Sequence, residues 1–238
     1  MTKTETLPTP DGPMSTFVAE PAVAPRGGVV VVQEAFGVTP HIESICTRLA
    51  DAGYLALAPA FFHREGSPVY RYDTDFAEIG PVMSTLNAVG LTSDLNAAFG
   101  YLEREGFSGA RSGVVGFCMG GSVSFYAATL RPLGAAVTFY GGGIAQGRFG
   151  LPPQLELASK LQTPWLGLYG DRDKGIPVDD VESLRAVTDG LPVDTAIVRY
   201  PNAEHGFNCD DRASYEPDSA KDAWARTLEW FGAHIASA

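Results

Sequence analysis

The stretch from Gly113 to Ser122, GVVGFCMGGS, decides how the rest of the chain is read. Its first half, GVVGF, is an apolar run of strand length. Its second half opens a helix near Met119, and Cys118 stands at the joint with Gly116 and Gly120 two positions to either side. A residue on a sharp turn between strand and helix is crowded by its neighbours two positions away, and glycine relieves that clash. The turn lifts the thiol above the sheet, and unpaired backbone N–H groups at the start of the helix favour a thiolate. Cys118 therefore reads as a candidate nucleophile, G-x-C-x-G, against the plainer reading of a core cysteine at a strand end.

Working outward, GGVVVVQ (Gly27 to Gln33) is a continuous valine run, the pattern of a strand buried on both faces in a largely parallel sheet. The segment TPHIESICTRLADAGY supplies the next helix: Thr39 caps, Pro40 fits the first helical position, and Ile42, Ile45, Cys46 and Leu49 recur at helical spacing until Gly53. YLALAPAFF, GAAVTFYGG, TPWLGLYGD and DTAIVRYP are further strand candidates. Helices are expected at Asp94 to Arg104, from Met119, from Val178, and from about Ala213 to Ile235. Alternation of this kind predicts an α/β fold, a doubly wound and mostly parallel sheet flanked by helices, with ligands at the carboxyl ends of the strands. The irregular stretch 63–90 carries Tyr70 and Tyr72 and has Pro81 inside a candidate helix. It reads either as a lid over a pocket or as a surface excursion.

The chain has 238 residues, 45% of them hydrophobic, and a single domain over 1–238 is expected at that length. A formal net charge of −11 leaves no chain-wide basic field, which disfavours nucleic acid and anionic membranes as partners. The polar, proline-punctuated N-terminus lacks an apolar signal core and no run reaches the length of a membrane span, so a cytoplasmic location is expected. Cys46, Cys118 and Cys209 are odd in number and lack C-x-x-C spacing, so neither a disulfide framework nor a metal site is expected.

A cysteine nucleophile needs a base, and the base an orienting carboxylate, each at the end of a later strand. His205, in RYPNAEHGF, is the histidine placed for it: His41 and His63 precede the elbow and His234 lies in the last helix. LYGDRDKGIP offers Asp171 and Asp173. Asp173 lies deeper in its loop and is preferred, with Asp171 bracing the turn. Glu34 follows the valine strand directly, on the edge where the elbow should open. The N–H groups of Met119 and Ala35 are candidate oxyanion donors. Tyr70, Tyr72, Phe36 and Arg71 are candidate substrate-binding residues on an aromatic-lined pocket.

Taken together, VVVVQEAFGV, GFCMGGS, GDRDKGIP, EHGF and the closing AWARTLEWF resemble the dienelactone hydrolase family of the α/β-hydrolase fold, over nearly the whole chain. The resemblance implies Cys118 as nucleophile, His205 as base, Asp173 as the triad acid and Glu34 as the active-site glutamate. It implies hydrolysis of a lactone or short ester through a thioester, with no metal or organic cofactor; whether the protein is a monomer or homodimer is left open by the sequence. The family's dienelactone-opening members hold the substrate carboxylate with two arginines, one in the lid and one shortly after the histidine. Here HGFNCDDR puts Cys209 at about the second place, leaving Arg212, Arg71 or Arg64 as substitutes. Two other readings stand beside hydrolysis: a binding module without turnover, and a redox function for Cys118 with Cys209.

Overall fold

The computed structural model describes residues 1–236. Its frame is one eight-stranded sheet in the order β1-β2-β4-β3-β5-β6-β7-β8. The strands are β1 Thr2–Thr9, β2 Gly12–Ala19, β3 Gly27–Val32, β4 Tyr54–Pro59, β5 Ser112–Phe117, β6 Ala135–Phe139, β7 Trp165–Gly170 and β8 Thr195–Tyr200. From β4 to β8 every neighbouring pair is parallel, whereas β2 runs antiparallel to both of its neighbours, β1 and β4. The six expected strands thus form the parallel part, and β3, β4, β5, β6 and β7 are buried along their whole lengths. Val29 to Val32 are fully excluded from solvent, each worth roughly 1.5–3 kcal/mol of burial.

The β1–β2 hairpin was not expected in a segment carrying prolines at 8, 10 and 13. Those prolines sit at the hairpin end, where Pro8 faces Pro13 across the pair, and β1 is the sheet's edge strand, where the loss of N–H donors is tolerated. Gly12, at φ 118°, closes the turn in a conformation reserved for glycine.

The helices are α1 Pro40–Asp51, α2 Phe76–Met83, α3 Ala88–Arg104, α4 Met119–Leu130, α5 Gln154–Leu157, α6 Val178–Thr188 and α7 Pro217–His234. α1 begins as expected, with the Thr39 side chain accepting from the Ile42 N–H at 3.4 Å. α3 starts earlier than Asp94 because Asn87 caps it, its Oδ1 accepting from Gly90 N at 3.0 Å. α7 starts later than Ala213 because Glu216 caps Ser219 and Pro217 takes the first helical position.

The functional consequence lies in the strand order. The chain runs from β3 to β4 on one side and resumes with β5 on the other, so β3 and β5 are neighbours across a topological switch point. Val32 pairs with Gly116, which brings the residues after β3 beside Cys118 at the carboxyl edge.

Candidate active site

Cys118 joins β5 to α4 at φ 57° and ψ −115°, a backbone region that costs a non-glycine residue about 1–3 kcal/mol. The glycines around it are required by contact. A Cβ on Gly116 would collide with the Gly120 carbonyl, and one on Gly120 with the carbonyl oxygens of Val32 and Gln33. The second clash shows how tightly the end of β3 is pressed against the first turn of α4. Cys118 N donates to Phe139 O at 3.1 Å, tying the elbow to β6 as well. Met119, first in α4, has no intrahelical acceptor for its N–H. Ala35 is fully buried on the facing loop.

His205 follows β8 in the expected loop. Its Nδ1 lies 2.6 Å from Asp173 Oδ2, and Asp173 Oδ1 accepts from Gly175 N at 2.8 Å. Asp173 is 6% exposed, so this carboxylate has exchanged water for two fixed partners. Asp171 is turned elsewhere: its two oxygens accept from Arg199 Nε and Nη2 at 2.7 and 2.9 Å, bracing β8. Of the two aspartates, Asp173 is the one against the histidine.

Cys118 and His205 border one cavity, close enough for the charge of each to act on the other. Burial alone would push the Cys118 thiol up, but the charge of the neighbouring His205 opposes it and the thiol is held below its ordinary value. Burial likewise opposes the imidazolium, yet the Cys118 charge and the Asp173 hydrogen bond raise His205 to about 10. The two shifts have opposite directions, and each group's charge is a cause of the other's shift.

Glu34 is fully buried. It pairs with Arg212, whose Nη1 lies 3.2 Å from Oε1, while Oε2 has no partner. Arg212 also lies over the rings of Phe36 and Tyr72, at 5.6 and 5.9 Å from their centroids. The cavity over Cys118 has a volume of about 410 Å³ and is bordered by Phe76 and Met83 of α2, Met119, Phe149, His205 and Arg212. The stretch 63–90 therefore does reach the cavity, through α2.

The expected substrate-binding residues stand apart from it. Tyr70, Arg71 and Tyr72 line a neighbouring cleft of about 920 Å³ that meets the first at Glu204, Arg212 and Ser214. Phe36 is buried beneath, edge-on to Tyr72 at 4.7 Å, and lines neither. Arg71 points outward, paired with Asp73 at 2.9 Å. Arg64 is held by Asp94 and Asp11, each at 2.7 Å. Arg212 is the one of the three candidate arginines that borders the Cys118 cavity.

Tyr140 was missed by sequence reasoning. It follows β6 at φ 38°, fully buried, with its ring edge-on to His205 at 5.1 Å and its hydroxyl unpartnered. The signal available was an aromatic residue followed by three glycines at a strand end, TFYGGG. Arg148 and Lys174, also on the cavity, lie in loops where spacing carries no such signal.

A mostly parallel sheet with a strained elbow at its switch point and later strands delivering an acid and a histidine defines an α/β-hydrolase fold. The dienelactone hydrolase family model matches residues 14–235, and the chain belongs to that family. It is 40% identical over 233 residues to an Escherichia coli (strain K12) protein named "Putative carboxymethylenebutenolidase", covering 94% of this chain and 84% of that one. A Salmonella typhimurium protein of the same name is 39% identical over 233 residues with the same coverage. The crystal structure of a Klebsiella pneumoniae protein described as "Putative Dienelactone Hydrolase" superposes with a TM-score of 0.88 at 36% identity, covering 98% of each chain. Among the described residues no helix is long and apolar enough to cross a membrane.

Proposed function

We propose that this protein hydrolyses a lactone or short carboxylic ester through a Cys118–His205–Asp173 triad and a thioester intermediate. The observation that carries the reading is the 2.6 Å contact of His205 Nδ1 with Asp173 Oδ2 beside the cavity that His205 and Asp173 border together with the elbow thiol. The Cys118 thiolate attacks the carbonyl carbon, and the new oxyanion meets the N–H groups of Met119 and Ala35. His205, already protonated, gives its Nε2 proton to the leaving alkoxide as the C–O bond breaks. A water then attacks the thioester, His205 takes its proton, and the carboxylic acid leaves as the C–S bond breaks and the thiolate returns. Asp173 keeps Nδ1 protonated throughout, fixing the tautomer.

Arg212 gives the cavity a positive charge suited to a substrate carboxylate, with Glu34 as its partner in the free enzyme. This favours an anionic lactone or ester, consistent with the names carried by the relatives. Hydrolysis of lactones and short aryl esters by wild type and Cys118→Ala tests the reading. Turnover should vanish in the variant, and mass spectrometry of quenched wild-type reactions should find the acyl group on the peptide carrying Cys118. Retained turnover, or an acyl group on another residue, refutes it.

A further inference from the structure

The strongest unassigned feature lies behind the Glu34–Arg212 pair, where α1 meets the turn after His205. One donor atom each from His41, Cys209 and Asp210 falls within 4.8 Å of the others. His41 is 4% exposed, and neither ring nitrogen has a hydrogen-bond partner. Its Nδ1 lies 3.5 Å from Asp210 Oδ1 without making a hydrogen bond. Asn208, 3% exposed, leaves both amide atoms unpartnered and borders the same cavity of about 570 Å³ as His41 and Asp210. Buried imidazole nitrogens without partners are costly, and here the lone pair, the thiol and the carboxylate converge.

We propose that His41, Cys209 and Asp210 form a binding site for a zinc-like divalent cation, with its remaining position open to water from the adjoining cavity. An imidazole, a thiol and a carboxylate make a donor set suited to zinc and cobalt and too soft for magnesium or calcium. Tetrahedral zinc holds such donors about 3.3–3.7 Å apart, so the site must contract by about 1 Å. Asp210, whose side chain is 74% exposed, is free to supply that movement. Cys209 binds as thiolate, its proton passing to solvent.

Binding has a structural consequence. Cys209 sits inside the turn that follows His205, its N–H donating to Gly206 O at 3.0 Å and its carbonyl accepting from Arg212 N at 3.1 Å. An ion there clamps the turn that carries Arg212 to the start of α1. The site stands whether or not Cys118 is the nucleophile, since it shares no residue with the triad.

The test is a titration of the Cys118→Ala protein, which removes the competing reactive thiol, with Co²⁺ followed by absorption. One equivalent should produce a near-ultraviolet thiolate-to-cobalt band and the intense visible bands of tetrahedral cobalt, both erased by Zn²⁺. Cys209→Ala and His41→Ala in that background should abolish the bands. Asp210→Ala, at an exposed position that leaves folding intact, should weaken binding by about tenfold or more. Absence of the thiolate band, its survival in Cys209→Ala, or unchanged affinity in Asp210→Ala overturns the proposal.

Discussion

Replacing Asp173 by Asn is the most informative single perturbation of the triad. The amide is nearly isosteric, and its oxygen can keep the 2.8 Å bond from Gly175 N. That leaves the NH₂ group facing His205 Nδ1, where the carboxylate oxygen stood at 2.6 Å. The charge-assisted hydrogen bond is lost, worth roughly 1.5–3 kcal/mol, which converts to about a 10- to 150-fold loss of rate. The inverted donor also forces the imidazole into the tautomer with its proton on Nε2, where it cannot accept one from water. Locking in the wrong tautomer raises the loss toward about 10⁴-fold. The expected result is therefore a fall of 10²- to 10⁴-fold in kcat/KM for an aryl ester, carried by kcat with KM nearly constant, in a protein whose circular dichroism matches wild type. A loss under about threefold in a folded variant would refute the relay, because a carboxylate that merely braces its loop has no reason to control the chemistry.

Further outcomes follow from the same geometry. Gly116→Ala should destabilise the fold by about 3 kcal/mol or more, read as a shift in urea midpoint, since the new Cβ meets the backbone carbonyl of Gly120, which cannot move aside cheaply. Arg212→Met strips the buried Glu34 of its side-chain partner and should cost about 3 kcal/mol; adding Glu34→Gln should recover part of it in a double-mutant cycle. The pH dependence follows from the opposed shifts of the thiol–imidazole pair. His205 is raised from 6.5 to about 10, so its contribution is complete below 6.5 and is lost as pH rises through 10. Cys118 is lowered from 9.0, so its contribution is complete above 9.0 and is lost as pH falls through the depressed value. The wild-type minus Cys118→Ala difference in stability should therefore decline as pH rises from 9.0 through 10 and again as pH falls through the depressed thiol value, as denaturant unfolding across pH will show.

Most of the sheet could be read from the chain because buried parallel strands announce themselves. Val29 to Val32 need no partner to be recognised, and the elbow glycines at 116 and 120 are there to clear clashes that any strand-to-helix joint would create. The β1–β2 hairpin was not legible, because an edge pair can carry prolines and exposed side chains that elsewhere signal loop. Order and loop placement singled out Asp173 and His205, and the two do meet, at 2.6 Å. Tyr70, Arg71 and Tyr72 could not be assigned to their cleft, since which wall a loop residue faces depends on how α2 and the Arg212 turn pack. His41 carried no signal at all. In the chain it is only a histidine that precedes the elbow, and its meeting with Cys209 and Asp210 appears only once α1 is packed against the turn after His205.

The account stands on a thiolate held by His205, and the rate of Cys118 alkylation by iodoacetamide across pH measures it directly. Burial pushes Cys209 up to about 12 and Cys46 higher still, so these two are internal controls for ordinary buried thiols. At pH 7 Cys118 should be modified far faster than either, with reactivity persisting well below 9.0 and that advantage lost in His205→Ala. Reactivity that sets in only near 9 or above, or that is unchanged by removal of the imidazole, would contradict it.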